Sequence, residues 1–192
     1  LDFSNTVSPN VAGNDQNKQS KKALVAELSR RFQAQPLESV DIAILYVYSP
    51  VPYFPQALGI LAGRLTQLPP LIIFYLARAV NLIIWIAINY FAIRLTPIYP
   101  RLLTALALMP MTLFIAASCS PDAFTIAIGF LWLALVFRLA YTPDQPVTAP
   151  DWLALAVVAI LLSLSKSVYV ALVMAVFLIP YRRKNWKSAS SG

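Results

Sequence analysis

Polar positions crowd residues 1–48 and then nearly vanish, leaving long apolar blocks punctuated by proline. A helix that crosses a bilayer needs about 20 apolar residues, and on that scale the chain reads as a polar region followed by four blocks. Within residues 1–48, "SKKALVAELSRRFQ" sets Leu24, Val25, Leu28 and Phe32 on one side of a helix, away from Lys21, Lys22, Arg30 and Arg31. That pattern predicts a surface or interfacial helix. Residues 49–66 follow as "SPVPYFPQALGILAGRLT"; the prolines bar a regular helix until Pro55, which suits a first helical turn. The helix is too short to span, so a juxtamembrane element is expected there.

The transmembrane bundle is expected over residues 67–187. Its predicted spans are 71–93, then 102–118 with a kink at Pro110, then 123–141, which opens on "SPD" with Asp122 in the first turn. Residues 152–180 are harder to place. As one helix these 29 residues would run about 44 Å, too long for about 30 Å of hydrocarbon without strong tilt. As a hairpin of two short legs, each about 20 Å long, the block turns near Lys166. The turn is then buried in protein or lines a wet cavity, where non-helical backbone is tolerated at membrane depth. The hairpin is the preferred reading because it also returns the basic "YRRKNWK" to the side of Arg94, Arg101 and Arg138. The bias of Lys and Arg makes that side cytoplasmic and puts residues 1–48 outside the cell membrane.

Composition agrees with this pattern. Hydrophobic residues are 59% and charged residues 12%, against about 45–50% and about 25% in soluble domains. The expected class is an all-α integral membrane protein, a multi-span helical bundle with a polar extracytoplasmic N-terminal segment and the lipid bilayer as its surroundings. The net charge of +7 lies between and after the apolar blocks, where it sets topology; with no basic patch interleaved with exposed aromatics, no nucleic-acid partner is expected. The single cysteine, Cys119, excludes an internal disulfide and reads as a small apolar residue. The absence of histidine removes imidazole catalysis and most zinc sites, and no metal or cofactor is expected. The beginning at Leu1 and the "KNWKSASSG" end suggest a piece of a longer protein.

The chemistry of interest is in the polar residues that interrupt the apolar blocks. Tyr75, Arg78, Asn81, Trp85 and Asn89 fall within one arc of the first span on a 3.6-residue period. Such a stripe is either a packing seam hydrogen-bonded across helices, or a cation for an anionic lipid head group, or a snorkelling arginine near the surface. Asp122 either complements its helix dipole or partners Lys166 or Arg78. Lys166 has the strongest claim to a role, because a lone ammonium in hydrocarbon costs at least about 2.5–3.5 kcal/mol. Direct contact between Asp122 and Lys166, or contact through one water, is the expectation. No phosphate loop, paired carboxylate or nucleophile motif is present.

The order "YSPVPYFPQALGILAGRL", "LARAVNLIIW", "SPDAF", "SKSVYVAL" resembles a bacterial family of predicted membrane proteins of unknown function. That family is placed by fold similarity in the GT-C, protein O-mannosyltransferase-like, glycosyltransferase superfamily. The resemblance covers roughly residues 46–184. It implies a GT-C-type bundle in the bacterial inner membrane that transfers a sugar from a polyprenyl-phosphate carrier at the outer face. It further implies that Lys166 and Arg78 neutralise the carrier phosphate, that Asp122 orients Lys166, and that Asn81 and Tyr48 add substrate contacts. The catalytic base is not identified in this segment and is expected upstream of Leu1. The superfamily's frequent proline-loop histidine and its acidic pair are absent, Ser49 standing near the histidine's place. Two other readings stay open: a transporter or flippase-like protein using the same polar cavity, and a noncatalytic structural subunit.

Overall fold

The computed structural model describes Val25 and residues 49–142, 147–166 and 169–178, all helical or in short connections. A 3₁₀ turn, Val51–Tyr53, leads into α1, Phe54–Leu65; α2 is Pro70–Leu95, α3 Pro100–Ala107, α4 Pro110–Ala116 and α5 Pro121–Tyr141. The chain continues as α6, Ala149–Ser165, and α7, Val170–Val173, which runs on into a 3₁₀ stretch, Met174–Leu178. The expected interfacial helix around Leu24–Phe32, apart from Val25, lies outside the described residues, as do Tyr48 and the basic segment after Pro180.

Proline sets the boundaries. Four helices, α2 to α5, begin on a proline, where the missing N–H would have had no helical partner and the fixed φ already suits a helix. Each proline also pushes the residue before it out of the helical region: Pro69, Met109 and Ser120 are extended, with ψ of 145°, 138° and 134°. This explains the one place where the helices depart from the expected spans. Residues 102–118 do not form a kinked helix but two separate ones, α3 and α4, broken at Leu108 and Met109 because Pro110 acts on the residue ahead of it.

Helices α2 and α5 are long and apolar enough to cross a membrane, and they lie side by side in the same direction. Asn81 in the middle of α2 reaches Ser118 just ahead of α5, and one turn further on Trp85 shares a core with Ala123 and Ala127. Helix α6 runs back along α5: its end meets the first turn of α5 through Lys166 and Asp122. At its start, Asp151 feels the charge of Arg138 near the end of α5. Asp151 also accepts hydrogen bonds from the Thr148 backbone N–H and hydroxyl, at 2.9 and 2.6 Å, and these bonds hold its carboxyl below the usual range. At Lys166 the backbone is extended, φ −154° and ψ 132°. The chain then returns along α5, where the Trp132 indole N–H donates to Leu172 O at 2.9 Å. Residues 152–166 and 169–178 are therefore two legs, the first ending at Lys166, and not one helix.

Helix α1 packs on the first half of α2 in the opposite sense, Gly59 against Ala77 and Gly63 against Ile73. These two glycines, four residues apart, are what allow the backbones to approach. A Cβ at Gly59 would sit 2.6 Å from Ala77 Cα, a backbone atom that no rotamer change can move, whereas a Cβ at Gly129 would only touch Leu172 Cδ2 at 3.8 Å. In detergent micelles, Gly59→Ala should lower unfolding stability by about 1–3 kcal/mol through overpacking. Gly129→Ala should leave it unchanged or raise it by up to about 1 kcal/mol. Equal midpoints for Gly59→Ala and the parent protein in a denaturation series would show that the two helices do not approach this closely.

Candidate functional site

The polar residues gather where α1 and α5 start, alongside the middle of α2. Ser120 caps α5: its hydroxyl oxygen accepts from Asp122 N–H at 3.2 Å, with Pro121 at the first helical position. This fixes Asp122 in the first turn, where its charge complements the helix dipole. Across from it, the break after Ser165 frees Lys166 from the helical path and aims its side chain at α5. Lys166 Nζ donates to Asp122 Oδ1 at 2.5 Å. The expected contact is direct. The two side chains are 38% and 43% exposed, so the pair stands at the wet margin of the bundle.

Beside the pair is a cavity of about 260 Å³ bounded by Pro52, Tyr53, Pro121, Asp122, Thr125, Ser165 and Lys166. Thr125 and Ser165 are buried, and their hydroxyls donate back into their own helices, to Pro121 O at 3.2 Å and to Leu161 O at 2.8 Å. Asp122 and Thr125 share a face of α5 because they are three residues apart. Tyr53 and Pro52 come from the 3₁₀ turn ahead of α1, so three separate stretches of the chain close around one opening.

Arg78 and Asn81 do not line this cavity. They hold the connection between α4 and α5 instead. Arg78 Nε donates to Ala117 O at 2.7 Å, and Asn81 Nδ2 to Ala116 O and Ser118 O at 3.2 and 2.9 Å. A cation and an amide on the terminal carbonyls of α4 satisfy groups that a helix end leaves open and match the sign of its dipole. The rest of the expected stripe divides by depth. Trp85 and Asn89 are buried, the Asn89 amide donating to Trp85 O at 2.8 Å, whereas Tyr75 is mostly exposed with the Arg78 guanidinium 5.5 Å from its ring centre. Cys119, in the connection that Arg78 holds, has its thiol pushed up by burial, with the nearby Arg78 charge opposing, which suits an unreactive filler.

Sequence reasoning left out Gln56. It is buried, and its amide donates to Ser120 O at 2.9 Å and to Asn81 Oδ1 at 3.4 Å. The signal was present, since Gln56 is the one polar residue on the narrow face of α1 that carries Gly59 and Gly63. Thr125 and Ser165 were missed as well, although they lie three residues from Asp122 and one from Lys166.

The chain belongs to the DUF2142 family of predicted membrane proteins, which matches residues 3–191. No curated protein and no solved structure matches it. It is thus an all-helical membrane protein with the lipid bilayer as its surroundings and α2 and α5 as its candidate spans.

Removing one member of the Asp122–Lys166 pair leaves the other without its counter-charge. In a double-mutant cycle of Asp122→Asn and Lys166→Met, read by unfolding in micelles, the losses should be non-additive by about 1 kcal/mol, the upper range for a pair this exposed. Strict additivity would mean that the contact contributes nothing to the fold.

Proposed function

We propose that this chain forms part of a membrane glycosyltransferase-like protein, of GT-C type, that transfers a sugar from a polyprenyl-phosphate carrier. The carrier's head group is received at the bundle end that holds Asp122 and Lys166. The observation that carries this reading is an ion pair at a helix break, opening on a polar cavity where membrane helices begin. A structural ion pair needs no cavity beside it, and a cavity in a lipid-facing bundle needs no lysine.

Support also comes from the arrangement of the resembling segments. The proline turn supplies Tyr53, "SPD" supplies Asp122 and "SKS" supplies Lys166, and all three meet at one opening. In this reading Lys166 and Arg78 are the head group's cations, and Asp122 is the group that holds Lys166 in place. Asn81 acts at one remove, through the connection it shares with Arg78. Among the described residues the acidic side chains are Asp122 and Asp151; the first is paired with Lys166 and the second with Thr148, and neither is assigned as the base that activates an acceptor.

A second reading, a noncatalytic structural subunit, draws on a specific observation: Arg78 Nε and Asn81 Nδ2 donate to backbone carbonyls of the α4–α5 connection. The two separate in one experiment. With the full chain in nanodiscs and a short-chain prenyl-phosphate hexose as ligand, Lys166→Met should weaken binding at least about tenfold, the scale of a lost hydrogen bond to a charged group. Arg78→Leu should weaken it as well, while Leu82→Ala, on another face of α2, should not. Wild-type affinity in Lys166→Met would leave the structural reading standing.

A further inference from the structure

We infer that the cavity beside Asp122 and Lys166 takes the hydroxyls of an uncharged sugar ring rather than the phosphate of the carrier. This rests on the reading of the cavity as the head-group site and reassigns the ion pair within it. The first ground is charge. The cavity's charged lining groups are one carboxylate and one ammonium in direct contact, so the lining is neutral overall. A phosphate placed against Lys166 would lie beside the Asp122 carboxylate and gain little net attraction.

The second ground is the hydrogen-bond inventory. Because the Thr125 and Ser165 hydroxyls already donate to Pro121 O and Leu161 O, their oxygens can offer only lone pairs to an occupant. Asp122 adds further acceptors, while donors come from the Lys166 ammonium and, with its rotatable hydrogen, from the Tyr53 phenol. A phosphate, which brings mainly acceptors, would leave most of this lining unpaired. Adjacent hydroxyls on a ring bring both: one can donate to the Asp122 carboxylate while its neighbour accepts from Lys166, and others donate to Thr125 or Ser165. Leaving those buried acceptors without a donor is what would discriminate against a ligand lacking hydroxyls.

Size is the third ground. About 260 Å³ corresponds to eight or nine waters at about 30 Å³ each, room for one ring. Tyr53 adds an aromatic residue to the lining, and an amphipathic ring can cover the apolar side of a sugar.

The test uses the full chain in detergent micelles, with methyl α-glucopyranoside and methyl α-mannopyranoside as probes and saturation-transfer NMR as the readout. Ring protons of at least one glycoside should receive saturation from the wild type. Inorganic phosphate in equal excess should not reduce the transfer. Asp122→Asn and Lys166→Met should each cut it by about tenfold. Ser165→Ala, whose hydroxyl bonds only its own helix, should fold normally and cut it by at least about twofold. The sign of Asp122→Asn separates the alternatives: a phosphate site would become net positive and bind phosphate more tightly, whereas a hydroxyl site loses its principal acceptor. Glycoside transfer abolished by phosphate, or unchanged in both Asp122→Asn and Ser165→Ala, overturns the inference. If the prenyl-phosphate hexose binds but neither glycoside receives saturation, the inference fails and the head-group reading survives; if none of the three binds, both fail.

Discussion

Five residues of backbone, 116–120, hold the polar end of this molecule together by needing partners. They run from the last residue of α4 to the cap of α5, and a buried carbonyl left without a partner there would cost about 1–3 kcal/mol. Arg78, Asn81 and Gln56 meet that need at Ala116, Ala117, Ser118 and Ser120. Because the partners come from α1 and α2, the same bonds that satisfy the connection also fix where α5 begins. The position of Asp122 follows, then the place where Lys166 finds its counter-charge, and then the hairpin that Lys166 interrupts. The glycines of α1 belong to the same chain of causes, since Gln56 reaches Ser120 only if α1 lies close against α2.

This dependence gives the polar residues two distinct kinds of work. Arg78, Asn81 and Gln56 donate to backbone carbonyls of the connection. Asp122, Lys166, Thr125 and Ser165 face an opening, and part of their hydrogen-bonding capacity is directed outward. A lysine drawn to a carboxylate at the wet margin of a bundle is compatible with folding alone, and so are hydroxyls bonded back to their own helices; the cavity they share is what gives their remaining lone pairs an outlet.

Much of this was legible in the sequence. Apolar length located α2 and α5, proline marked the starts of α1 and α5, and the intolerance of hydrocarbon for a lone ammonium pointed to Lys166 and to Asp122 as its partner. The separation of α3 from α4 was less legible, because a proline inside an apolar run kinks a helix when neighbours re-satisfy the freed carbonyls and ends it when the residue ahead turns extended, and Met109 does the latter. For Arg78 the sequence left a packing seam open as one reading, and hydrogen bonds across helices are what the structure shows, but the acceptors were not legible. A stripe on one helix records which residues share a face; that this face meets the carbonyls of a connection 39 residues away depends on how α3 and α4 return, and no periodicity in α2 encodes that. Gln56 was hidden for the same reason, its partner Ser120 lying 64 residues downstream.

The distance in sequence between Arg78 and its acceptor has a consequence for how the protein is made. During synthesis α2 leaves the ribosome well before the carbonyl that Arg78 will bind, so the helix enters the bilayer with its cation and its Asn81 amide unmatched. Arg78 is the ninth residue of α2, close enough to the helix start for its stem to carry the guanidinium up to the head groups. Only when α4 and α5 are in place does the Ala117 carbonyl become available to it, so the arginine's bond is one that completes late, after the helix that carries it has formed.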